Sequence, residues 1–356
     1  MLGVLILDGA HGEGGGQILR TALALSAVSA RPFRLINIRA GRRNPGLLPQ
    51  HLSAVRAVAT ITAAQVAGDR LGSSEIEFKP SRPPQGGHYV FDVVEAAERG
   101  SAGSVTLILQ TLVLPLAVAA NPSELVLRGG THVEWSPPFD DFVRAYCPAL
   151  RAMGLRVEAE LKRWGWYPVG GGEVVCRIGP SGRAWRPVEA LARGSLARIS
   201  GRAVAANLPS HIPQRMADRA RAALSDLGVP LAIEAERVSA ACPGAGIFLL
   251  AQYEPLAASF SAYGRLGKPS EAVADEAVGL LREHHAAGAG VEIHLADQLL
   301  VPLALARGPS AFTVGRLSGH LTTNAWVIEQ FGMARIALEA GAPCRVRVDP
   351  RGAAGN

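Results

Sequence analysis

Aromatic residues make up only 5% of the 356 positions. An aromatic core is therefore excluded, and the interior must be built from Leu, Val, Ile and Ala. Lysine occurs only at positions 79, 162 and 268, which leaves arginine as 33 of the 36 basic residues. Cysteine is confined to positions 147, 176, 242 and 344, with no CxxC pair. That excludes a zinc ribbon or a disulfide framework. HExxH is absent, as is any close Cys/His ligand set, so structural zinc is not expected. No apolar stretch reaches ~18 residues without Pro, Gly or a polar interruption, so no membrane span is expected. The opening MLGVLILDGAHGEGGG has no basic n-region and its apolar run stops at Asp8, which speaks against a signal peptide. The chain reads as soluble and cytoplasmic.

Hydrophobic residues reach 48% against 19% charged, a balance that excludes disorder. The length suits about two domains at ~150 residues each. The 40 glycines and 24 prolines have no three-residue period, which rules out collagen and points to many tight turns. The net charge is +6. Arginine's planar fork grips phosphate by two bonds at once, so a nucleotide or nucleic acid suits this charge. A GC-rich genome, which favours Arg, Ala and Gly codons together, accounts for the same composition.

Three segments resemble one another: Gln17-Ile-Leu-Arg-Thr-Ala-Leu-Ala-Leu, Gln110-Thr-Leu-Val-Leu-Pro-Leu-Ala-Val and Gln298-Leu-Leu-Val-Pro-Leu-Ala-Leu-Ala. Each reads as a buried helix preceded by a helix-start stretch, GEGGG, GSAGS or HLAD. The intervals are 93 and 188 positions, so one period plus 95 extra residues separates the second from the third. That surplus is enough for a small inserted domain. Second helices follow at comparable distances in LLPQHLSAVRAVATI, PPFDDFVRAYCPALRAMG and LTTNAWVIEQF. Strand-like FRLINIRA, ELVLRGG, AFTVGRL, EIEFKP and RVEAEL fill the gaps. The reading is an α+β fold of α/β layers, with three repeated strand–helix–strand–helix units. Pro115 and Pro302 are expected at a kink or in a first helical turn. The inserted piece, about 190–288, alternates strands (RISGRAVAANL, GIFLLAQY) with helices (Pro213–Leu227 and EAVADEAVGLLREHHAAG). His284 and His285 are placed on an exposed helix face.

Four segments could carry chemistry. Gly12-Glu13-Gly14-Gly15-Gly16-Gln17 joins a strand to a helix, where bare backbone N–H groups and a helix N-terminus suit an anion. It is neither a Walker A loop nor GxGxxG, and a tight turn explains the glycines equally well. Glu13 does not suit a simple phosphate cradle, because a carboxylate repels phosphate unless a metal lies between them. Arg39, Arg42 and Arg43 share a Gly/Pro-bracketed loop that is either a phosphate clamp or a solvated basic loop. Arg20 interrupts an apolar helix and points back toward the glycine loop. Gly165-Trp-Tyr-Pro-Val-Gly-Gly-Gly-Glu-Val calls for a close backbone approach or a hairpin turn. In Arg316-Leu-Ser-Gly-His320-Leu-Thr-Thr-Asn324, His320 lies between a strand and a helix. A histidine there is a nucleophile, an acid/base or a helix cap.

Taken together, LDGAHGEGGGQILRTALALS, IRAGRRNPGLLPQHLSAV, GSAGSVTLILQT, GWYPVGGGEV, LADQLLVPLALA and SGHLTTNAWVIEQF resemble the RNA 3′-terminal phosphate cyclases, in that family's order. The resemblance covers essentially the whole chain. One departure is Trp164, where the family's glycine signature usually begins with Arg or His. The resemblance implies a large domain over 1–190 and 289–356, interrupted by a small thioredoxin-like domain over 191–288. It implies ATP-dependent conversion of an RNA 3′-phosphate to a 2′,3′-cyclic phosphodiester, with Mg²⁺ or Mn²⁺. The nucleophile falls on His320, which would carry AMP. Glu13 matches an acidic residue associated with the metal and the ATP phosphates. Arg20, Arg39 and Arg42 match arginines near those phosphates, and Gln110 a residue of the nucleotide pocket. Pro137 and Asp297 match positions lining the adenylate pocket. His294 stands where some members have Tyr and would stack on adenine; Phe142 is a further candidate. The partners implied are ATP and an RNA with a 3′-phosphate end, bound through few phosphate contacts and so with a shallow salt dependence. The oligomeric state stays open, a homo-oligomer included. The rival readings are a non-catalytic cyclase-like factor in ribosome assembly, an enolpyruvyl transferase and a generic α/β protein.

Overall fold

The computed structural model describes residues 3–93 and 102–351. Gly100 and Ser101 of the GSAGS stretch lie outside the described residues. The chain is a mixed α/β protein with four four-stranded sheets. In the first, β1 (Leu5–Asp8), α1 (Gln17–Ser29), β2 (Phe33–Ile36), α2 (Pro49–Thr62), β3 (Gln65–Ala67) and β4 (Ile76–Lys79) follow one another. The sheet order is β1-β2-β4-β3. Its first pair is parallel and the rest are antiparallel.

The second sheet draws on β5 (His88–Asp92), α3 (Val105–Ala117), β6 (Ser123–Gly129), α4 (Phe139–Asp141), α5 (Cys147–Met153), β7 (Arg156–Arg163) and β8 (Gly172–Gly179). A π-helical turn, Phe142–Tyr146, joins α4 to α5. The order is β5-β6-β8-β7, with the first pair again parallel.

After β9 (Glu189–Ala190), the chain builds a sheet of another order, β11-β10-β12-β13. It comprises β10 (Arg198–Ala206), α6 (His211–Leu224), β11 (Leu231–Val238), β12 (Gly244–Gln252), β13 (Ala258–Tyr263) and α7 (Ser270–Ala287). Pro213, Met216, Ala217, Ala220 and Leu224 recur every three or four residues and form the buried stripe of α6. Met216, Ala217, Ala220 and Leu224 pack with Ile247, Leu249, Ala274 and Leu281 into a core of their own. The chain then returns through α8 (Ile293–Ala304), β14 (Ser310–Val314), α9 (Gly319–Gln330), β15 (Ala334–Glu339) and β16 (Cys344–Pro350). This last sheet runs β15-β16-β14-β9, with β9 and β14 parallel. Read from β9, it has the strand order of the first two.

The helices nearest the centre are apolar all round because neighbours cover every face. Helix α1 touches α2, α3 and α9, and Ile18, Leu19, Leu23 and Leu25 are fully buried. Each such side chain contributes about 1.5–3 kcal/mol. Pro115 and Pro302 lie in the last turns of α3 and α8, not at a kink or in a first turn. There the missing N–H removes a hydrogen bond at the helix end, where fewer residues depend on it. His284 is buried rather than exposed, between Tyr253 and Phe260, because α7 turns that face inward. His285 bonds the Tyr253 hydroxyl at 3.0 Å. All four cysteines are buried and free. Among the described residues, no helix is long and apolar enough to cross a membrane.

Candidate active site

The glycine loop closes onto α9. Gly12 and Gly14 adopt left-handed φ of +59° and +61°, a region that costs any residue with a Cβ. A Cβ at Gly12 would lie 2.3 Å from Thr323 Oγ1, and one at Gly16 2.2 Å from His51 Nε2. The loop is thus pinned between two helices. Thr323 Oγ1 accepts the Glu13 backbone N–H at 3.1 Å. His51 Nδ1 accepts the Leu48 N–H at 3.1 Å, so the ring's proton sits on Nε2, facing Gly16. Burial, aided by the charges of Arg20 and Arg39, pushes the His51 pKa down to about 3 and keeps it neutral.

Glu13 is held between two cationic or basic groups. Arg42 Nη2 donates to its Oε2 at 2.5 Å and to its backbone carbonyl at 2.8 Å. His320 Nδ1 lies 3.4 Å from Oε1. His320 is the second residue of α9, whose N-cap Ser318 accepts the Leu321 N–H at 3.0 Å. Half of the His320 side chain is open to solvent. Burial holds its pKa below the ordinary imidazole value; Glu13 opposes this, while Arg20, His294 and Arg42 add to it. A neutral ring with its proton on Nδ1 suits Glu13 and leaves a lone pair on Nε2.

Beneath the loop, Arg20 donates to Gln17 Oε1 at 3.0 Å. Burial lowers its pKa to about 10, so it stays charged at neutral pH. Gln17, Gln110 and Gln298, each the first residue of one of the three similar segments, line one cavity of about 40 Å³ together with Arg20, Tyr146 and Asn324. The cavity has room for water, and Gln110 Nε2 is buried with no hydrogen-bond partner among the described residues. Thr21 donates to Asn324 Oδ1 at 2.6 Å, and Asn324 Nδ2 to the Asp297 carbonyl at 2.7 Å. These bonds tie α1, α9 and α8 together.

On α8, the Glu292 carboxylate caps the helix by accepting the His294 and Leu295 N–H groups, both at 2.9 Å. It also meets His294 Nδ1 at 2.8 Å. Glu292, and then Asp297 and Asp141, raise the His294 pKa to about 9 despite some desolvation. Burial raises Asp297 to about 7; His294 and Arg20 oppose this, and Glu292 and Glu13 add to it. Pro137 offers its carbonyl to Thr106 Oγ1 at 2.6 Å, in the first turn of α3.

The structure therefore gathers His320, Glu13, Arg20 and Arg42 at one loop, and electrostatic coupling links His294 and Asp297 to them. Arg39 is held within its own loop, where its Nη1 donates to the carbonyls of Asn44 and Gly46. Phe142 is fully buried and packs on Tyr146, so it cannot face a ligand from its core position. Sequence reasoning missed His51, Thr323 and Asn324. His51 and Thr323 each carry a polar atom that a glycine of the loop must accommodate, and that signal exists only once the helices are placed.

A divalent cation suits this arrangement. Mg²⁺ is usually held by one or two carboxylates plus substrate phosphates, and Glu13 is an acidic side chain at the loop. Among the described residues no group of three or more His, Cys, Asp or Glu converges to form an all-protein cage.

The profile of the family described as RNA 3′-terminal phosphate cyclase matches residues 11–338. The chain belongs to that family. It is 53% identical over 333 residues to the RNA 3′-terminal phosphate cyclase of Methylococcus capsulatus (strain ATCC 33009 / NCIMB 11132 / Bath), covering 94% of this chain and 92% of the relative. To the protein of the same name from Gloeothece citriformis (strain PCC 7424) it is 52% identical, with 94% and 95% covered. To that of Pyrobaculum neutrophilum it is 41% identical, with 95% of each covered. The cyclase resemblance is thus met, and the enolpyruvyl-transferase and generic readings fall away. Of the motif blocks that carried it, only the first four residues of the first, Leu7–Ala10, fall outside the matched span.

Proposed function

We propose that this cyclase-family enzyme uses ATP to convert an RNA 3′-terminal phosphate into a 2′,3′-cyclic phosphodiester. The observation that carries the reading is His320, half-exposed at the start of α9 and 3.4 Å from Glu13, which the glycine loop at the head of α1 presents. His320 Nε2 attacks the α-phosphorus of ATP; the N–P bond forms as the bond to pyrophosphate breaks. Glu13, beside Nδ1, stabilises the positive charge the ring gains. An oxygen of the RNA 3′-phosphate then attacks the same phosphorus and frees the imidazole. In the resulting RNA-adenylate, the neighbouring 2′-OH attacks the 3′-phosphorus, loses its proton and expels AMP. A free 3′-phosphate has no leaving group for that closure, and AMP supplies one. Because the closure is intramolecular, orientation lowers its barrier substantially.

Arg20 and Arg42 would receive phosphate oxygens, and Arg39 would join them if its guanidinium left its loop. Gln110, Pro137, His294 and Asp297 would form the adenylate side, His294 by stacking. Glu13 would hold Mg²⁺ or Mn²⁺, which supplies charge neutralisation of the triphosphate. We also read 1–190 with 289–356 as one large domain of three units. Residues 191–288 are then a thioredoxin-like insertion, supported by their separate core and distinct sheet order. A cytoplasmic setting fits RNA end processing.

The test is incubation with α-labelled ATP and Mg²⁺ or Mn²⁺. An acid-labile, base-stable protein–AMP adduct is expected, absent in His320→Ala and His320→Asn. Adduct persisting in both variants would move the nucleophile elsewhere. RNA ending in a 3′-OH should remain uncyclised in the same mixture.

A further inference from the structure

We infer that Trp135 and Tyr167 form a stacking platform for the RNA bases that precede the reacting 3′ end, an inference that rests on the cyclase reading above. These are the most exposed aromatic side chains among the described residues, at 97% and 75%. Trp135 also sits at φ +63°, a left-handed conformation that bulky residues rarely adopt. The fold holds a large indole in water on a disfavoured backbone, which core packing does not explain.

The two side chains project from neighbouring loops. The first leaves the end of β6 and is closed by the Phe139 N–H bonding the Thr131 carbonyl at 2.9 Å. The second joins β7 to β8. The His132 N–H bonds the Gly165 carbonyl at 3.0 Å, and His132 pairs with Trp166. Below the tips, His132 stacks on Trp164 at 4.3 Å and Trp166 at 5.4 Å, which stiffens both loops. The glycines of the GWYPVGGG segment permit this closeness. A Cβ at Gly165 would lie 2.3 Å from the Gly129 carbonyl, and one at Gly172 2.6 Å from Thr131 Cγ2.

Position and side-chain chemistry select the occupant. Pro137, two residues after Trp135, is tied to the first turn of α3, and Gln110, one turn deeper on that helix, lines the cavity shared with Arg20. The platform therefore flanks the nucleotide side of the site. Arg128 and Arg163, at the adjoining ends of β6 and β7, both bond Glu173 at 2.9 Å and brace the strands from which the two loops leave. Exposed aromatic faces on stiffened loops are what single-stranded nucleic acid uses, because every base has a stacking face.

The experiment compares cyclisation of an RNA of about ten nucleotides ending in 3′-phosphate with that of a dinucleotide 3′-phosphate, which is too short to reach both rings. Trp135→Ala and Tyr167→Ala should each raise KM for the longer RNA roughly 5- to 30-fold, with kcat little changed. KM for the dinucleotide should barely move. Trp135→Phe and Tyr167→Phe, which keep a ring, should restore most of the affinity. Unchanged KM for the longer RNA overturns the platform, as does an equal rise for both substrates. The protein–AMP adduct is measured in the same wild-type samples. Its absence would sink the cyclase reading, whereas adduct with an unaltered KM sinks only the platform.

Discussion

The attack proposed for His320 needs the neutral ring, so its protonation would set the lower pH limit of the proposed nucleotide transfer. Burial, reinforced by the cations around it, holds its pKa below the ordinary ~6.5. A lowered value means the ring is already deprotonated at neutral pH and accepts its proton only in more acid solution. The half-maximal rate of adduct formation should therefore fall on the acid side of the ordinary imidazole value of ~6.5. A midpoint at or above that value contradicts the geometry. The candidate nucleophile and the Gly-loop acid were legible because each sits in a short, chemically odd segment. His51 was not legible. Its contribution is steric and polar contact with Gly16, made by a helix more than thirty residues downstream.

At the scale of elements, three helix beginnings frame the proposed site. The heads of α1 and α9 meet through Glu13, Thr323 and His320, and α3 anchors the Pro137 loop. Ser318 fixes the first turn of α9, so Ser318→Ala should cost about 1 kcal/mol in chemical denaturation. It should also slow adduct formation, because His320 lies two residues on. The long apolar helices were legible from composition, since nothing else explains Gln110–Val118 or Gln298–Ala306. Strands such as β3 and β5 were not. They are three and five residues long with exposed or half-exposed side chains, so periodicity has little to register. The prolines were misplaced because propensity alone favours a first turn, where the N–H has no helical partner, whereas the fold puts them in the last turn at the loss of one hydrogen bond.

Across the whole molecule, the sheet of β10–β13 is joined to the second sheet's helices by a buried charge cluster. Arg202 of β10 grips Asp140 of α4 at 2.8 and 2.9 Å, and His132 reaches the same carboxylate at 2.9 Å. Arg202 also lies 4.7 Å above Trp164. Burial alone would raise Asp140, yet the hydrogen bonds from His132 and Arg202 prevail and hold it at about 2. Because the folded value is depressed, its stabilisation is present above the unfolded value near 4 and fades as pH falls toward 2. Asp140→Ala leaves buried His132 and half-buried Arg202 without their shared acceptor, Arg202 keeping Glu236 at 3.4 Å, and should cost about 1–3 kcal/mol, read by urea unfolding at neutral pH. The surplus of 95 residues hinted at an extra body in the chain, but spacing could not reveal what bolts it down. The Arg202–Asp140 contact joins residues 62 positions apart, a separation that spacing of similar segments does not register.

The clasp between Arg42 and Glu13 has a consequence for the idle enzyme. An acid already engaged by a guanidinium is a poor host for a bare cation. In the proposed reaction a triphosphate would offer the guanidinium a richer anion, and the arginine would move from carboxylate to phosphate and uncover the acid for the metal.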